Sequence, residues 1–544
     1  MDRMFIHFKG YNPMVETKGF ERLTRVANAP TLALLGLNGA LGSAILFDVA
    51  GITASAGPAG LISFLIGALM FSALALSQLE LSRTFPEAGA PSRYTLYTHG
   101  PFANLINTFS NVVWYIFIAP FEAFAIIEGL NLYFPYFISA AGYPTYPGGF
   151  LGIVITLLFI PLNYFGSRVM GRSNFLAGLL KVILYAILGI GLLVAVRDPS
   201  NFTQFGGFFP NGAAGVLSAL PLVMFTYASA RIVADYAEEA TSPGVLRNAF
   251  VWLVFGQLIF YVLFEYVFIA GINWVKLGIS PGDWGSLATI SSNPFILIAT
   301  NSNLSILIGI GIFIGIVMPF LTGFVYLGGG SRVLLAASRS GYVSKVLSTI
   351  DSKYKTPNYA VLVFAIVGAI LSFVSAPVHS IFSIIDYALV GGYIAYSFSA
   401  VSMFAARRQG LTKQKVPLGN VTAVAAFATG GLIVFWSGWP SVPYSVGIIA
   451  IAVAVFAVIF KVRGHVKNSL WAILYIAFLL AMTYVGDVGA LSIIPFYYSS
   501  LTVLIVSVAV FFPLGVFSAL NPEQASSMVK QYSMAPAMQG AEKE

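Results

Sequence analysis

The sequence predicts an all-α polytopic membrane protein with about fourteen transmembrane helices. Three observations carry that reading. Of 544 residues, 58% are hydrophobic and only 9% are charged, against about 25% charged in a soluble globular protein. That leaves too little polar surface to cover a water-soluble particle of this size and excludes a disordered chain for the opposite reason. The apolar residues fall in long continuous runs rather than the ~10-residue alternating segments of a membrane barrel. The basic residues are distributed on one side of those runs.

A bilayer core of ~30 Å needs about 20 apolar residues per helix. Fourteen runs qualify, spans 1 to 14 in chain order: 30–53, 58–81, 102–132, 148–165, 174–196, 212–236, 248–272, 303–330, 359–376, 381–405, 419–438, 443–461, 469–486 and 494–518. With the N-terminus in the cytoplasm, 24 of the 28 Lys and Arg residues lie in inner loops and tails. Only Arg197 and Lys276 fall outside, and Lys181 and Arg231 lie within spans. Cytoplasmic loops carry the basic excess, so this split predicts both the orientation and an even number of spans. The expected location is the plasma membrane, with both termini cytoplasmic. No apolar leader precedes span 1.

Several function classes are disfavoured. The chain has no Cys, hence no disulfide or thiolate metal site. It has no Gly-Lys pair and so no P-loop. Its four His residues are scattered singly, without metalloprotease spacing. No catalytic constellation, cofactor site, metal site or nucleic-acid surface is expected. Ionisable residues at membrane depth are costly and are functional candidates by default. Here they are Asp48, Glu122, Glu128, Glu265 and Asp386 beside Lys181 and Arg231.

Two spans are interrupted at matching places. Span 1 reads Leu35-Gly36-Leu37-Asn38-Gly39-Ala40-Leu41-Gly42-Ser43-Ala44-Ile45, with glycine at every third position. Span 6 reads Leu220-Pro221-Leu222-Val223-Met224-Phe225-Thr226-Tyr227-Ala228-Ser229-Ala230. The breaks lie five spans apart, as expected if spans 1–5 and 6–10 are inverted repeats. A broken helix offers amides to a carboxylate and carbonyls to an ammonium, and an amino acid satisfies both. The alternative is that Gly36, Gly39 and Gly42 form a helix-packing stripe.

These residues resemble the amino acid–polyamine–organocation (APC) transporter superfamily. Gly42-Ser43-Ala44-Ile45 is similar to its Gly-Ser-Gly-Ile signature. Glu80-Leu81 … Phe85-Pro86-Glu87-Ala88-Gly89-Ala90-Pro91-Ser92-Arg93-Tyr94 … Gly100-Pro101 resembles the block that follows its second span. Glu238-Glu239-Ala240-Thr241-Ser242-Pro243 and Ser331-Arg332 … Ser338-Arg339-Ser340-Gly341 … Thr356-Pro357-Asn358-Tyr359-Ala360 follow spans 6 and 8 in the family's order. The similarity covers about residues 20–405.

The resemblance implies a 5+5 inverted-repeat (LeuT-type) core with discontinuous helices 1 and 6. It implies the secondary transport of an amino acid or related amine by alternating access. The expected division is a cytoplasmic tail 1–29, a ten-helix core 30–405, four additional helices 406–518 and a cytoplasmic tail 519–544. It further implies a substrate carboxylate at the amides of Gly42, Ser43 and Ala44. The substrate amine would lie near carbonyls around Leu41, Phe225 and Ala228. Lys181 matches the fifth-span lysine of proton-coupled relatives and would replace a sodium ion, cycling between charged and neutral forms. A permanently charged lysine bracing span 1 against span 8 is the other reading.

Two departures from the family pattern bear on substrate choice. Ala44 stands where the signature has Gly, and Ser229-Ala230 stands where relatives place a Gly-aromatic pair. Either the pocket admits a larger side chain or Tyr227 or Phe225 gates it. Arg231 could bind an acidic substrate side chain or pair with Asp48 or Asp235. The expected function is amino acid uptake by proton symport, with protons, an amino acid or amine and the lipid bilayer as partners. An exchanger on the same fold is the alternative, and a non-transporting sensor is a weaker one. The substrate and the oligomeric state stay open.

Overall fold

The computed structural model describes residues 21–131, 133–139, 142–165, 167–196, 199–227, 229–290, 293–376 and 381–533. Most of the N-terminal tail, the end of the C-terminal tail, Arg197 and Ala228 lie outside the described residues, as does the side chain of Asp386.

Thirteen helical runs among the described residues are long and apolar enough to cross a membrane. The run Ala44–Thr84 is 41 residues long, roughly 60 Å of helix and twice a bilayer core. It holds two segments. The first helix, Ala44–Ala56, ends at Gly57, whose φ of 61° a residue with a Cβ rarely adopts, and Pro58 then opens the turn into Gly60–Thr84. The former is the second half of span 1, whose first half is Ala29–Ala40. The latter is span 2. Each of the fourteen expected spans therefore has its helix.

The others are Pro101–Asn131 (span 3), Tyr146–Tyr164 (span 4), Ser167–Ala195 (span 5), and Leu220–Tyr227 with Ala230–Asp235 (span 6). Pro243–Gly271, Ser305–Arg339, Asn358–Ser375 and Ile381–Arg408 follow as spans 7 to 10. Spans 11 to 14 are Gly419–Trp436, Ser441–Ile459, Leu470–Val485 and Phe496–Phe517. Spans 5, 7 and 8 run further on their basic ends than the apolar runs predict. Helix geometry continues past the hydrocarbon boundary wherever polar residues such as Arg172, Arg247, Arg332 and Arg339 remain good helix formers.

The packing follows a two-fold relation between spans 1–5 and 6–10. Such an axis sets span 2 across from 7, 3 from 8 and 4 from 9, and each pair is in contact. It also exchanges the contact of span 1 with 7 for that of span 6 with 2, and both are present. Leu, Ile, Val and Phe side chains on the outer faces of spans 4, 5, 9 and 12 remain exposed, as a lipid-facing surface requires. Asn201, in a triplet that fits a glycosylation acceptor, is buried. Its amide donates to Ile269 O and Ile272 O and its carbonyl accepts from Trp274, so it offers no accessible acceptor.

Among the described residues, four ion pairs lie among the loops and helix ends at the Arg-rich face: the buried Glu87–Arg93 and Glu239–Arg332 (2.6 Å each) and Glu238–Arg339 (2.5 Å), and the partly buried Glu80–Arg407 (2.5 Å). Glu238 is the hub. Its carboxylate also accepts the Leu23 amide before span 1 and the Ala88 amide after span 2, both at 2.9 Å. One residue thereby joins four segments of the chain. Burial alone would raise its carboxyl, but Arg339 and the two amides outweigh burial and hold it below the ordinary 4.5.

Removing one partner of a buried pair leaves an uncompensated charge, so Arg339→Ala should lower stability by about 3–5 kcal/mol, read by denaturation in detergent. The sign of the pH dependence follows from the lowered carboxyl. The Glu238 contribution is complete above its unfolded value near 4.5 and is lost as pH falls through the lower folded value. This acid-side loss should shrink in Arg339→Ala.

Candidate functional site

The two breaks define the site. The first half of span 1 ends at Ala40 and the second starts at Ala44, leaving Leu41, Gly42 and Ser43 unwound. Gly42 has a steric reason. A Cβ there would lie 2.8 Å from Thr322 Oγ1 and 3.0 Å from Glu122 Oε1. Gly36 instead serves helix packing, where a Cβ would stand 2.9 Å from Leu253. The break and the packing stripe thus belong to different glycines of one run. In span 6 the helix stops at Tyr227 and resumes at Ala230, with Ser229 N bonded to Tyr227 O at 2.7 Å.

Every carbonyl freed inside a membrane needs a donor, and the neighbouring spans supply them. The Asn38 carbonyl would accept the Gly42 amide in a continuous helix. Instead it accepts Lys181 Nζ at 2.7 Å and Thr322 Oγ1 at 3.2 Å, and Lys181 also donates to the Thr322 hydroxyl. The Tyr185 hydroxyl donates to Gly42 O at 2.8 Å. The Tyr393 hydroxyl does the same for Met224 O at 2.8 Å. Tyr185 and Tyr393 stand on spans 5 and 10, which the two-fold relation exchanges. The Tyr261 hydroxyl reaches both breaks, 3.1 Å from Ala40 O and 2.7 Å from Thr226 O.

Between the breaks lies a cavity of about 10 Å³ lined by Gly39, Ala40, Gly42, Ala44, Ile118, Phe121, Glu122, Phe225, Thr226 and Tyr326. That is room for one water, so the conformation is closed around the site. Ser43 Oγ donates to Glu122 Oε2 at 2.9 Å, and the Ser43 amide faces the same carboxylate. Glu122 and Lys181 are close enough for each to act on the other's charge, without forming an ion pair.

Of the residues singled out from sequence, Gly42, Ala44, Glu122 and Phe225 line the cavity, Ser43 bonds Glu122 in its wall, and Lys181 holds the Asn38 carbonyl of the first break. Leu41 and Ala230 are buried at the breaks. Phe225 packs edge-on against Phe121 with ring centroids 5.3 Å apart. Tyr227 points elsewhere. Its ring stacks on Phe71 at 5.3 Å and its hydroxyl bonds Phe64 O at 3.2 Å, away from the cavity. Asp48 accepts from Thr226 Oγ1 at 3.4 Å, tying span 1 to the second break. Arg231 forms no ion pair among the described residues, with Asp48 or with Asp235. It donates to Gly392 O at 2.6 Å. Ala228 lies outside the described residues.

Sequence reading missed Tyr185, Tyr261, Thr322 and Tyr326. Helical spacing from a candidate residue carried a signal for Tyr185 alone, and it links Thr322 to Tyr326 only once one of them is known. Tyr185 is four residues from Lys181, Tyr326 is four from Thr322, and residues so spaced share a helix face.

Tyr261→Phe removes the donor shared by the two breaks and leaves a buried carbonyl on each. The expected cost is about 1–3 kcal/mol, read as a lowered melting temperature in detergent. A variant as stable as the parent would show that the shared hydroxyl does not hold the breaks.

The comparisons with known proteins agree with this geometry. A family profile described as "Amino acid permease" matches residues 28–482. A glutamate/serine transporter of Bacillus subtilis (strain 168), AimA, is 26% identical over 498 residues, 88% of this chain and 91% of its own length. An aspartate-proton symporter of the same organism is 26% identical over 476 residues, 84% of this chain and 89% of its own. Its branched-chain amino acid permease BcaP is 27% identical over 404 residues, 71% of this chain and 82% of its own. With a ten-span two-fold core, paired helix breaks around a closed cavity and a family match over most of its length, the chain belongs to the amino acid permease family of the APC superfamily.

Proposed function

We propose that the protein is a secondary active transporter that carries amino acids inward with protons, by alternating access around the cavity between the two breaks. The observation that carries this reading is the pair of ionisable groups on one break. Lys181 Nζ bonds the Asn38 carbonyl and the Glu122 carboxylate bonds Ser43. A substrate carboxylate seeking the amides of Gly42, Ser43 and Ala44 meets Glu122 already there. Two carboxylates cannot share such a site while both are charged. Substrate binding therefore favours a proton on Glu122, and by linkage a proton favours substrate. Lys181, the other exchangeable charge, fixes the carbonyl side of the break and senses the same balance. The substrate ammonium then faces carbonyls around Leu41, Phe225 and Ala228. Among the relatives, the name of the aspartate-proton symporter supports proton coupling. The relatives' names span acidic, small polar, branched and aromatic substrates and so leave the substrate open.

Within this reading, residues 30–405 form the transport core, 406–518 pack around it, and the tails 1–29 and 519–544 face the cytoplasm from the plasma membrane.

The test of coupling is Lys181→Ala in proteoliposomes. Accumulation driven by an inward proton gradient should fall to the level seen without a gradient, while exchange across equal amino acid pools persists. Unchanged gradient-driven accumulation sinks the coupling role. Orientation has its own test, because the chain contains no Cys. Exposed Lys276→Cys should react with an impermeant thiol reagent added outside intact cells, and exposed Lys413→Cys only after permeabilisation. The reverse pattern would invert the topology.

A further inference from the structure

We infer that Arg231, together with Trp114 and Ser229, forms a subsite for a second substrate carboxylate, so that the transported amino acids are the dicarboxylic ones. This rests on the reading of the cavity as the substrate site.

Arg231 starts the second half of span 6 and is 1% exposed. Its guanidinium lies 5.3 Å from the Trp114 ring centroid and 4.4 Å from that of Tyr396. One nitrogen donates to Gly392 O at 2.6 Å. The other two, Nε and Nη1, have no hydrogen-bond partner. Its nearest acid on the same helix, Asp235, is held by the Tyr115 hydroxyl and makes no ion pair with it. The Tyr396 hydroxyl, the Trp114 and Tyr396 rings and the charge of Asp235 offset part of its burial, but a guanidinium with two spare donors and no ion pair among the described residues remains costly in a membrane protein. Two more buried groups lack a hydrogen-bond partner: Trp114 Nε1, on the ring against the guanidinium, and Ser229 Oγ, two residues before Arg231 in the chain. Trp114 and Arg231 are in contact, Ser229 is two residues from Arg231 in the chain, and the chemistry that answers three unused donors is an anionic acceptor.

Position and charge both fit. Trp114 contacts Phe225 and Tyr326 at centroid distances of 6.2 and 6.4 Å, and both line the cavity. Arg231 therefore stands behind Trp114, which packs on the cavity-lining Phe225 and Tyr326, and its charge acts on Tyr326. Among the described residues no carboxylate forms an ion pair with Arg231; Asp235, which feels its charge, is bonded by the Tyr115 hydroxyl instead. An α-carboxylate and α-ammonium cancel within the substrate, so only a side-chain carboxylate balances Arg231. Reaching it requires Trp114 to move, which assigns Trp114 as the door between cavity and guanidinium.

The experiment compares L-aspartate and L-glutamate with their isosteric amides, L-asparagine and L-glutamine, in proteoliposomes and by ligand-induced thermal shift in detergent. The parent protein should prefer an acid over its amide by about tenfold or more in kcat/KM, because the amide leaves a charged donor unpaired. Arg231→Gln should bring that ratio close to one through a higher KM for the acid. Arg231→Lys, a point charge without the planar fork, should keep part of it. A mere brace between spans 6 and 10 would instead slow every substrate alike and leave the ratio intact, and that result overturns the inference. So does a parent that takes up amides or other neutral amino acids while acids neither compete nor raise its melting temperature, although the transport reading then stands. Acids that bind and shift the melting temperature without gradient-driven uptake uphold the subsite and overturn the coupling instead. The thermal shift of the parent protein needs no variant, so a misfolded Arg231→Gln leaves the test intact.

Discussion

The rest of the structure depends on one constraint, that backbone groups freed inside a membrane must find partners. Breaking spans 1 and 6 exposes carbonyls at Asn38, Ala40, Gly42 and Thr226, and the Met224 carbonyl beside the second break also takes a side-chain donor. The donors that satisfy them come from spans 5, 7, 8 and 10: Lys181, Tyr185, Tyr261, Thr322 and Tyr393. These contacts make the breaks possible and, under the proposed proton coupling, responsive. A carbonyl held by a lysine is held by a group whose charge can change, whereas a neighbouring helical amide would hold it permanently. The hydroxyl of Tyr261, shared between the two breaks, gives them a common support.

The closed cavity and the ion-pair ring form a second level of the same design. Glu238 gathers the segment before span 1, the loop after span 2 and the end of span 8 onto the end of span 6. The C-terminal helix Pro522–Tyr532 joins this ring. Arg93 donates to Tyr532 O at 2.8 Å and Ser533 Oγ donates to Glu87 at 3.1 Å. Rocking one repeat against the other would have to part these contacts on the Arg-rich face. Ion pairs suit that task, because water and the opposite conformation can each replace them at modest net cost, as they could not replace a packed apolar seam.

Much of this was legible in the sequence. Fourteen spans followed from apolar length and the placement of Lys and Arg, and both breaks followed from Gly42 and the Pro221–Ala230 stretch. Lys181 and Glu122 were visible because charge at membrane depth is rare. Helix ends were harder, since Arg247 and Arg339 stay helical beyond the apolar run. The partners of the breaks were hidden for a different reason. A tyrosine in an apolar span reads as bulk, and only the fold shows that the Tyr185, Tyr261 and Tyr393 hydroxyls meet freed carbonyls. Tyr227 illustrates the converse. Its position beside the break suggested a gate, but its ring belongs to the packing of spans 2 and 7.

The central claim is that substrate and proton move together because they meet on one helix break. The most direct measurement follows luminal pH in proteoliposomes carrying a trapped pH indicator when an amino acid is added outside. The account predicts luminal acidification that depends on the added amino acid and stops when the proton gradient cannot be sustained. Uptake that leaves luminal pH unchanged, and that proceeds only into vesicles preloaded with amino acid, would contradict it and make the protein an exchanger.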